Sequence, residues 1–195
     1  IGFTNASPIV AAPGGKSRII GTNPIAFSVP DGKGNTVIHF DQSTTAVALG
    51  KITMAKAAGE KIPFGWALDK NGEPTADPEA ALEGSLVSSG GYKGWGFGLM
   101  AEVLAAGLAG GLASQFVQPL KAKDGDPHNL GQYYILIDPH NAPALKNLLN
   151  DLETAVSKDE GTRLPGQGKV AEEFVVVPDD LLVLLEKLTG LKWKH

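Results

Sequence analysis

The chain has 195 residues and a formal net charge of −4, a length that predicts one domain, or two small ones, with a core that needs no disulfide or metal support. Its 43% hydrophobic content excludes a disordered chain, and its mild acidity argues against a nucleic-acid partner, which would require a basic face. The absence of cysteine excludes disulfides and thiolate metal sites, and it fits a cytoplasmic protein.

Strands are predicted in the first part of the chain. Short apolar runs occupy residues 1–3 and 9–12. A longer strand is predicted over residues 19–29, with a kink at Asn23-Pro24, and another over residues 36–40. Because a short turn connects these last two strands, they are expected to pair antiparallel.

The segment after the second long strand is predicted to begin a helix. Asp41 would be its N-cap and residues 42–58 its body, because a glycine then supplies a C-terminal stop. Val47, Ile52 and Met54 are expected on its buried face.

The rest of the chain mixes both kinds of element. The longest apolar stretch contains Glu102 and many small residues, so it does not predict a membrane span. Without a regular alternation of strands and helices, the fold class is predicted as α+β, with a largely antiparallel or mixed sheet flanked by helices. Helices are predicted over residues 92–108, after a cap at Asn141 and after residues 178–180, strands over residues 132–137 and 174–177, and a polar loop over residues 118–131.

Common catalytic and nucleotide-binding motifs are absent from the sequence. It contains no P-loop and no G-x-S-x-G elbow, and the spacing of Gly94, Gly96 and Gly98 does not match a dinucleotide fingerprint. The four histidines are too scattered for a metal cluster, so no metal site is predicted. His39 alternates outward on its strand, where a structural or merely exposed histidine is the favoured interpretation.

The predicted start of the first helix is a candidate phosphate site. Ser43, Thr44 and Thr45 would place three hydroxyl groups in the first turn. Helix N-termini offer unpaired N–H groups and a partial positive charge, which suit an anion. The alternative is ordinary helix capping by Asp41.

A second candidate is the glycine-rich segment over residues 90–96. Its glycines let backbone N–H groups approach a ligand, and Lys93 supplies a positive charge. The alternative is a glycine-rich helix start that allows close packing. Composition does not decide between the two interpretations.

Taken in order, several segments resemble those of one family. They read TNASP, GTNP, DQSTT, GWALD, TADP, GGYKG and PG, and they begin at Thr4, Gly21, Asp41, Gly65, Thr75, Gly90 and Pro165. The chain resembles the second type of malate/L-lactate dehydrogenase, a family that also contains ureidoglycolate dehydrogenase, sulfolactate dehydrogenase and 2,3-diketogulonate reductase. The resemblance spans nearly the whole chain and depends on the order of the motifs.

The resemblance implies an NAD(P)-dependent oxidoreductase that transfers a hydride between nicotinamide and a 2-hydroxy or 2-oxo acid. It also implies a homodimer and a cofactor-binding domain that is not a Rossmann fold. Thr22 would lie near the substrate. The positions matched to the family's contacts with NAD or NADP are Ser7, Asp41, Gln42, Ser43, Thr44, Thr45, Ala46, Val47, Lys93 and Gly94, with Pro165, Gly166 and Gln167 on the far side of the cofactor.

Two positions depart from the family pattern. Gln167 stands where many members have an acidic residue after Pro-Gly. Lys51 stands where some reductases of the family place an aspartate as a charge-relay partner, a part that a lysine cannot play. Lys51 therefore points away from the imine reductases and towards the malate/lactate-like members.

The resemblance also implies that the catalytic centre is incomplete in these residues. General acid-base chemistry needs a group within hydrogen-bond reach of the reacting oxygen, and the family's histidine for this task lies in an N-terminal helical segment. We therefore expect residues 1–195 to be a cofactor-binding domain plus the C-terminal segment of a longer enzyme, without a catalytic residue of their own. The alternative is a non-catalytic dinucleotide-binding or oligomerisation module.

Overall fold

The computed structural model describes residues 1–119, 122, 127–168, 174 and 176–192. The described part of the chain contains strands β1 (Gly2–Thr4), β2 (Val10–Ala11), β3 (Arg18–Ile20), β4 (Ile25–Pro30), β5 (Thr36–Gln42), β6 (Ala67–Leu68), β7 (Pro74–Thr75), β8 (Ser85–Leu86) and β9 (Gln132–Tyr134). Its α-helices are α1 (Leu49–Ala58), α2 (Pro78–Glu83), α3 (Tyr92–Glu102), α4 (Ala144–Val156) and α5 (Asp179–Thr189), and α3 continues into a π-helical turn, Val103–Leu108.

The strands form two sheets. One has the order β5-β4-β1-β9 and is antiparallel throughout, with Gly2 opposite both Ala26 and Tyr134. The other has the order β3-β2-β8-β6-β7 and is mixed, because β2 and β8 pair in parallel while the other neighbours pair antiparallel. The predicted α+β class with antiparallel and mixed sheets is confirmed.

The hairpin β4–β5 confirms the antiparallel pairing predicted for the strands over residues 19–29 and 36–40. Asn23-Pro24 interrupts the predicted first strand, which is divided into β3 in one sheet and β4 in the other. In the hairpin Phe27 lies opposite Phe40, and their ring centroids are 5.6 Å apart.

A short segment after β5 connects the two sheets, and we call residues 43–47 the linking segment. The Thr44 N–H donates to the Thr22 carbonyl, and the Thr44 carbonyl accepts from the Ser89 N–H, both at 2.9 Å. The Ala46 N–H donates to the Val87 carbonyl at the same distance. Backbone hydrogen bonds therefore hold the linking segment on both sides, to residue 22 on one side and to residues 87–89 on the other.

The hydrophobic core lies between the mixed sheet and helices α1 and α2. Partly buried side chains such as Trp66 and Trp95 pack around it. Burial of apolar surface of this kind is the main stabilising term in folding. The buried residues of this core are Val10, Ile20, Val47, Ile52, Ile62, Ala67, Ala81 and Leu86.

The predicted start of the first helix is wrong. Asp41 and Gln42 belong to β5, where they pair with Ala26 and Ile25, and α1 begins only at Leu49. Asp41 therefore caps no helix. The backbone groups of Asp41, Gln42 and the linking segment pair with other strands and loops instead. The prediction that Met54 lies on the buried face of this helix is also wrong, since 72% of its surface is exposed.

Several later boundaries also differ from the predicted ones. Asn141 does not cap α4, because it ends a 3₁₀ turn that is capped by Asp138, and α4 begins at Ala144. β9 ends at Tyr134, so the strand predicted to residue 137 is shorter. The helices predicted over residues 92–108 and after residues 178–180 are confirmed.

Two further predictions fall partly beyond the described residues. Of the strand predicted over residues 174–177, residues 174, 176 and 177 belong to no strand, and Val175 lies outside the described residues. The predicted loop over residues 118–131 includes residues 120, 121 and 123–126, which also lie outside them. Within the described ranges, no helix combines the length and the apolar character that a membrane span needs.

Helix α3 lies directly against the linking segment because glycine, which has no side chain, occupies the two contact positions. A Cβ atom at Gly94 would lie 2.2 Å from the Ser89 carbonyl oxygen and 2.8 Å from that of Thr44. A Cβ atom at Gly98 would lie 2.8 Å from the Ile20 Cδ1 atom. The close-packing interpretation of this glycine-rich segment therefore holds at these two positions, although the contact is with strands and loops.

A buried polar cluster holds the start of β4 against the end of α3. Asn23, which has a φ of 37°, donates to the Gly98 carbonyl at 3.0 Å and to the Glu102 carboxylate at 2.8 Å. Ser114 donates to the same carboxylate through its N–H at 2.6 Å and its hydroxyl at 2.5 Å. The Ala6 N–H donates to the Asn23 side chain at 3.1 Å. The cluster fixes the backbone next to Thr22.

The turn between β6 and β7 is organised by one carboxylate. Asp69 Oδ1 accepts hydrogen bonds from the Asn71 N–H at 2.8 Å and the Glu73 N–H at 3.0 Å. These hydrogen bonds hold the pKa of Asp69 below its usual range, and the bond from the Glu73 N–H lowers it most. The ionised form therefore stabilises this turn.

We expect opposite effects from alanine at two nearby glycines of α3. Gly94→Ala should lower the free energy of unfolding by about 1–3 kcal/mol, because the new methyl group meets backbone on two sides. Gly96→Ala should raise it by about 0.5–1 kcal/mol, because a Cβ atom there meets nothing within 4 Å and alanine favours a helix. Urea unfolding followed by circular dichroism measures both, and equal effects would contradict the packing described for α3.

The contribution of Asp69 to stability is expected to depend on pH. Because its folded-state pKa lies below the unfolded-state one, the carboxylate stabilises the fold above the unfolded-state value, and this contribution is lost as pH falls through the folded-state value. The melting temperature of Asp69→Ala should therefore lie below that of the wild type at pH 7 and converge with it in the acidic range below about pH 4. A difference that does not change with pH would contradict this prediction.

Candidate functional site

A cleft of about 780 Å³ opens between the end of β5 and the starts of α1 and α3, and we call it the main cleft. Most of its lining comes from three stretches of chain, namely the linking segment with the end of β5, the first turn of α1 and the start of α3. Nine residues predicted to contact a dinucleotide line it, namely Asp41, Gln42, Ser43, Thr44, Thr45, Ala46, Val47, Lys93 and Gly94.

The three hydroxyl groups of the linking segment have different tasks. Thr44 and Thr45 are buried, and their hydroxyls donate to backbone carbonyls, that of Thr44 to Thr22 at 2.9 Å and that of Thr45 to Val47 at 2.8 Å. Ser43 is half-buried, and its hydroxyl lies 2.9 Å from that of Thr45. Because the one hydrogen of the Thr45 hydroxyl serves the Val47 carbonyl, the bond between these two hydroxyls takes its hydrogen from Ser43. The Ser43 oxygen can still accept a hydrogen bond from a ligand, whereas the hydroxyl hydrogens of all three residues serve the fold.

The main cleft is positive along two sides. Lys51 in the first turn of α1 and Lys93 in the first turn of α3 are exposed and line it. Both helix N-termini add a partial positive charge, while the N–H groups of Lys51, Lys93 and Gly94 are bonded to the carbonyls of residues 48, 90 and 89. Gly90, with a φ of 62°, lines the cleft just before α3. A helix start thus borders the predicted phosphate site, although α1 begins later than expected.

A smaller cavity of about 280 Å³ lies next to the main cleft, and we call it the side cavity. Phe40, Asp41 and Gln42 line both spaces, so both lie beside the end of β5. The remaining lining comes from His39 and from a turn late in the chain, and it includes three residues predicted to contact the dinucleotide, Pro165, Gly166 and Gln167.

This late turn is attached to the outer edge of β5. The His39 N–H donates to the Pro165 carbonyl at 2.9 Å. Gly166 has a φ of 92°, and a Cβ atom there would lie 3.0 Å from backbone atoms of His39, so glycine is required both by conformation and by the close approach. The His39 ring is bonded through Nδ1 to the Ser28 hydroxyl at 2.7 Å, and this histidine is exposed as predicted.

Side-chain bonds give the same turn its shape. Gln167 accepts from the Leu164 N–H at 3.0 Å and donates to the Glu153 carboxylate of α4 at 2.6 Å. Arg163 donates through Nη1 to the Gln167 carbonyl at 3.0 Å. The uncharged Gln167 is therefore fixed to both the turn and α4.

Ser7 and Thr22 line neither cavity. Thr22 lies behind the wall of the main cleft, where its carbonyl accepts from both the N–H and the hydroxyl of Thr44. Ser7 belongs to the turn before β2 and follows Ala6, whose carbonyl oxygen would lie 2.3 Å from a Cβ atom at Gly21. The structure therefore does not bring these two residues to the surface of the cleft itself.

Several lining residues were not among the predicted ones. Lys51, Trp66, Ser89 and Phe97 line the main cleft, and Arg163 lines the side cavity. Lys51 lies in the first turn of α1, which begins two residues after the linking segment, so only its nearness along the chain could have indicated it. The other residues join the site through long-range packing and carry no local signal.

In the part of the chain that the structure describes, histidine, aspartate and glutamate side chains form no group of three or more that could hold a metal ion.

Two known proteins are similar in sequence to this chain, to about the same degree. The chain is 43% identical over 169 residues to the (2R)-3-sulfolactate dehydrogenase (NADP(+)) of Chromohalobacter salexigens, covering 84% of this chain and 49% of the relative. It is 40% identical over 170 residues to the Delta(1)-pyrroline-2-carboxylate reductase of Ancylobacter novellus, covering 85% of this chain and 50% of the relative. The chain thus spans about half the length of these relatives.

A solved structure shows the same fold. The delta1-piperideine-2-carboxylate reductase of Pseudomonas syringae superposes with a TM-score of 0.80 at 32% identity, covering 96% of this chain and 60% of that one. The sequence model of the malate/L-lactate dehydrogenase family matches residues 1–173, which include the linking segment, the start of α3 and the late turn. The chain therefore belongs to the malate/L-lactate dehydrogenase family.

Proposed function

We propose that the main cleft and the side cavity together bind NAD or NADP, and that the protein transfers a hydride between the nicotinamide and a 2-hydroxy or 2-oxo acid. The observation that carries this proposal is the convergence of residues from two distant segments, 41–47 and 93–94, on one cleft. Both segments match positions that contact the dinucleotide in the family that the chain resembles.

The residues present fit a dinucleotide. Its phosphates need donors and positive charge, which the main cleft offers in Lys51, Lys93 and the two helix N-termini. Its ribose hydroxyls need acceptors and donors, which Asp41 and Gln42 offer where the two cavities meet. We infer that Pro165 and Gly166 contact the far end of the cofactor.

The cofactor supplies the chemistry, since a nicotinamide donates or accepts a hydride, and the protein supplies binding and orientation. Thr44 and Thr22 form the backbone wall behind the cleft, and we infer that the substrate lies near Thr22. Among the described residues no histidine lines the main cleft. We therefore assign no acid-base residue to this chain, and we propose that residues outside it complete the site.

The type of domain and its assembly form part of the proposal. The sheet that carries Asp41 is antiparallel, whereas a Rossmann sheet is mostly parallel, which supports a non-Rossmann cofactor domain. We propose a cytoplasmic homodimer, since the chain lacks cysteine and since Tyr92, Phe97 and Val103 expose 72%, 55% and 58% of their surface along α3 and the turn after it. The molar mass in solution tests the assembly.

The substrate class is supported by the relatives. The names of the two relatives describe the oxidation of a hydroxy acid and the reduction of a cyclic imino acid. In both cases the reacting carbon bears a carboxylate. We propose a 2-hydroxy or 2-oxo acid for this chain, because Lys51 replaces the aspartate that some imine reductases of the family place there.

Replacing Lys93 should weaken dinucleotide binding. Lys93→Gln removes one charge from the main cleft, and we expect the Kd for NADH and NADPH to rise about tenfold, an effect that shrinks at high salt. Fluorescence titration of both cofactors measures this. Lys61→Gln, which removes a lysine from a different cavity, is the matched control and should leave both constants unchanged. An equal loss in both variants would contradict the assignment of the cleft.

The full natural protein is expected to oxidise NADH or NADPH when a 2-oxo acid such as pyruvate or oxaloacetate is added. Steady-state absorbance of the reduced cofactor measures this, with Delta(1)-pyrroline-2-carboxylate as the competing substrate class. Cofactor binding without turnover on any of these compounds would favour the alternative, a non-catalytic dinucleotide-binding module. Faster turnover of the imine would contradict the interpretation of Lys51.

A further inference from the structure

Among the described residues, Asn23 is the one residue other than glycine that has a positive φ, at 37°. This region of backbone conformation is unfavourable for residues with a side chain, although asparagine tolerates it better than most. Such a conformation persists only where the surrounding structure enforces it, and it is found most often at functional sites. Asn23 is fully buried, so its neighbours in the fold are what enforce it.

Hydrogen bonds at both ends of its side chain hold Asn23 in this conformation. The two hydrogens of its amide serve the Gly98 carbonyl at 3.0 Å and the Glu102 carboxylate at 2.8 Å. Its side-chain oxygen accepts from the Ala6 N–H at 3.1 Å. Both amide hydrogens are therefore used within the fold, and the side chain acts on the position of the backbone.

The Glu102 carboxylate is the centre of these bonds. Its Oε2 atom accepts from Asn23 and from the Ser114 hydroxyl, the latter at 2.5 Å, and its Oε1 atom accepts from the Ser114 N–H at 2.6 Å. In the described part of the chain no basic side chain forms an ion pair with it. A polar network whose members are all bonded makes its surroundings rigid and specifies one arrangement.

Asn23 transmits this arrangement to the main cleft through the preceding residue. The Thr22 carbonyl accepts both the N–H and the hydroxyl of Thr44, each at 2.9 Å. Thr44 belongs to the linking segment and lines the main cleft. Because the conformation of Asn23 sets the direction of the chain at Thr22, a rotation there would displace Thr44 as well.

Glu102 also acts on the opposite side of the cleft, because it lies on the same face of α3 as Gly94 and Gly98, at successive helical turns. The two glycines are where α3 meets Thr44, since their Cβ atoms would lie 2.8 Å from its carbonyl oxygen and 3.1 Å from its hydroxyl oxygen. The first turn of the same helix carries Lys93, which lines the cleft. A change at Glu102 therefore shifts α3 against the linking segment.

The helix changes its geometry directly after this residue. The α-helical part of α3 ends at Glu102, and the next turn, Val103–Leu108, is π-helical. Turns of this kind are rare and occur frequently at functional sites. The left-handed Asn23, the bonded carboxylate and the π-helical turn thus coincide at the end of α3.

We propose, on the basis of the dinucleotide site assigned above, that Glu102 is a positioning residue for that site. Acting through Asn23, it fixes the separation between the linking segment and α3, which form two sides of the main cleft. Glu102 lines neither the main cleft nor the side cavity, so it acts only through other residues. The unfavourable conformation of Asn23 places the Thr22 carbonyl where Thr44 can bond to it.

Two variants test this path from its two ends. In Glu102→Gln the amide has one acceptor oxygen, and its NH₂ group faces the donors of Asn23 or Ser114. In Asn23→Gly the backbone conformation is still accessible, but the side-chain bonds are lost. Fluorescence titration of NADH and NADPH should give a Kd about tenfold higher in both variants than in the wild type. Circular dichroism sets a temperature at which every variant is folded.

Further variants separate positioning from stability. Ile62→Val, a matched control, shortens a side chain that is buried in the core and lines neither cavity, so it should lower the melting temperature and leave the Kd unchanged. Ser114→Ala, the mildest change to the cluster, should raise the Kd about two- to threefold, since the bond between Glu102 and Asn23 remains. The double variant Glu102→Gln/Asn23→Gly should match the larger single effect, because both changes interrupt one path.

Steady-state kinetics of the full natural protein adds a second readout. In Glu102→Gln the KM for the cofactor should rise by the same factor as the Kd, while kcat at saturating cofactor changes less than about twofold. A loss of folded protein alone would lower kcat and leave KM unchanged.

The outcomes distinguish this proposal from the proposed function. A wild-type Kd in folded Glu102→Gln, an equal rise in Ile62→Val, or effects that multiply in the double variant would overturn the positioning role and leave the dinucleotide site in place. No binding of NADH or NADPH to the wild-type protein would overturn the dinucleotide site and this proposal with it.

Discussion

Both the fold and the main cleft depend on how the backbone of the linking segment is satisfied. A chain leaving an edge strand must pair its N–H and C=O groups, and this one pairs with Thr22 on one side and with residues 87–89 on the other. The pairing holds the two sheets together and keeps residues 43–47 out of α1. The polar groups of these residues therefore stay at one wall of the cleft, with α3 close enough to form the other wall because Gly94 and Gly98 have no side chains.

Elements with a strong local signal could be predicted from the sequence, and those decided by distant partners could not. The hairpin β4–β5, helix α3 and helix α5 follow from turn residues and apolar spacing. The start of α1 was mispredicted because Asp41 followed by hydroxyl residues has the pattern of a helix cap. In the structure Asp41 pairs instead with Ala26 on the neighbouring strand, and a local pattern cannot show that competition.

Most of the predicted contact residues line one cleft, but the sequence did not show how that cleft is built. The order of motifs named residues 41–47 and 93–94, which line the main cleft, and also Ser7 and Thr22, which do not. It did not show that the hydroxyls of Thr44 and Thr45 donate to backbone carbonyls. Nor could it show Arg163 beside the end of β5, since that contact depends on a turn held by Gln167 and Glu153, far along the chain.

The turn at Pro165 also covers part of an exposed strand edge. β5 is the outer strand of its sheet, and an outer strand with unpaired N–H and C=O groups is a template for pairing with another chain. The bond from the His39 N–H to the Pro165 carbonyl, with Gly166 packed against the same backbone, covers part of this edge. Any event that detached the turn would expose the hydrogen-bonding groups of β5, so the hold of this one turn on His39 also bears on resistance to strand-to-strand aggregation.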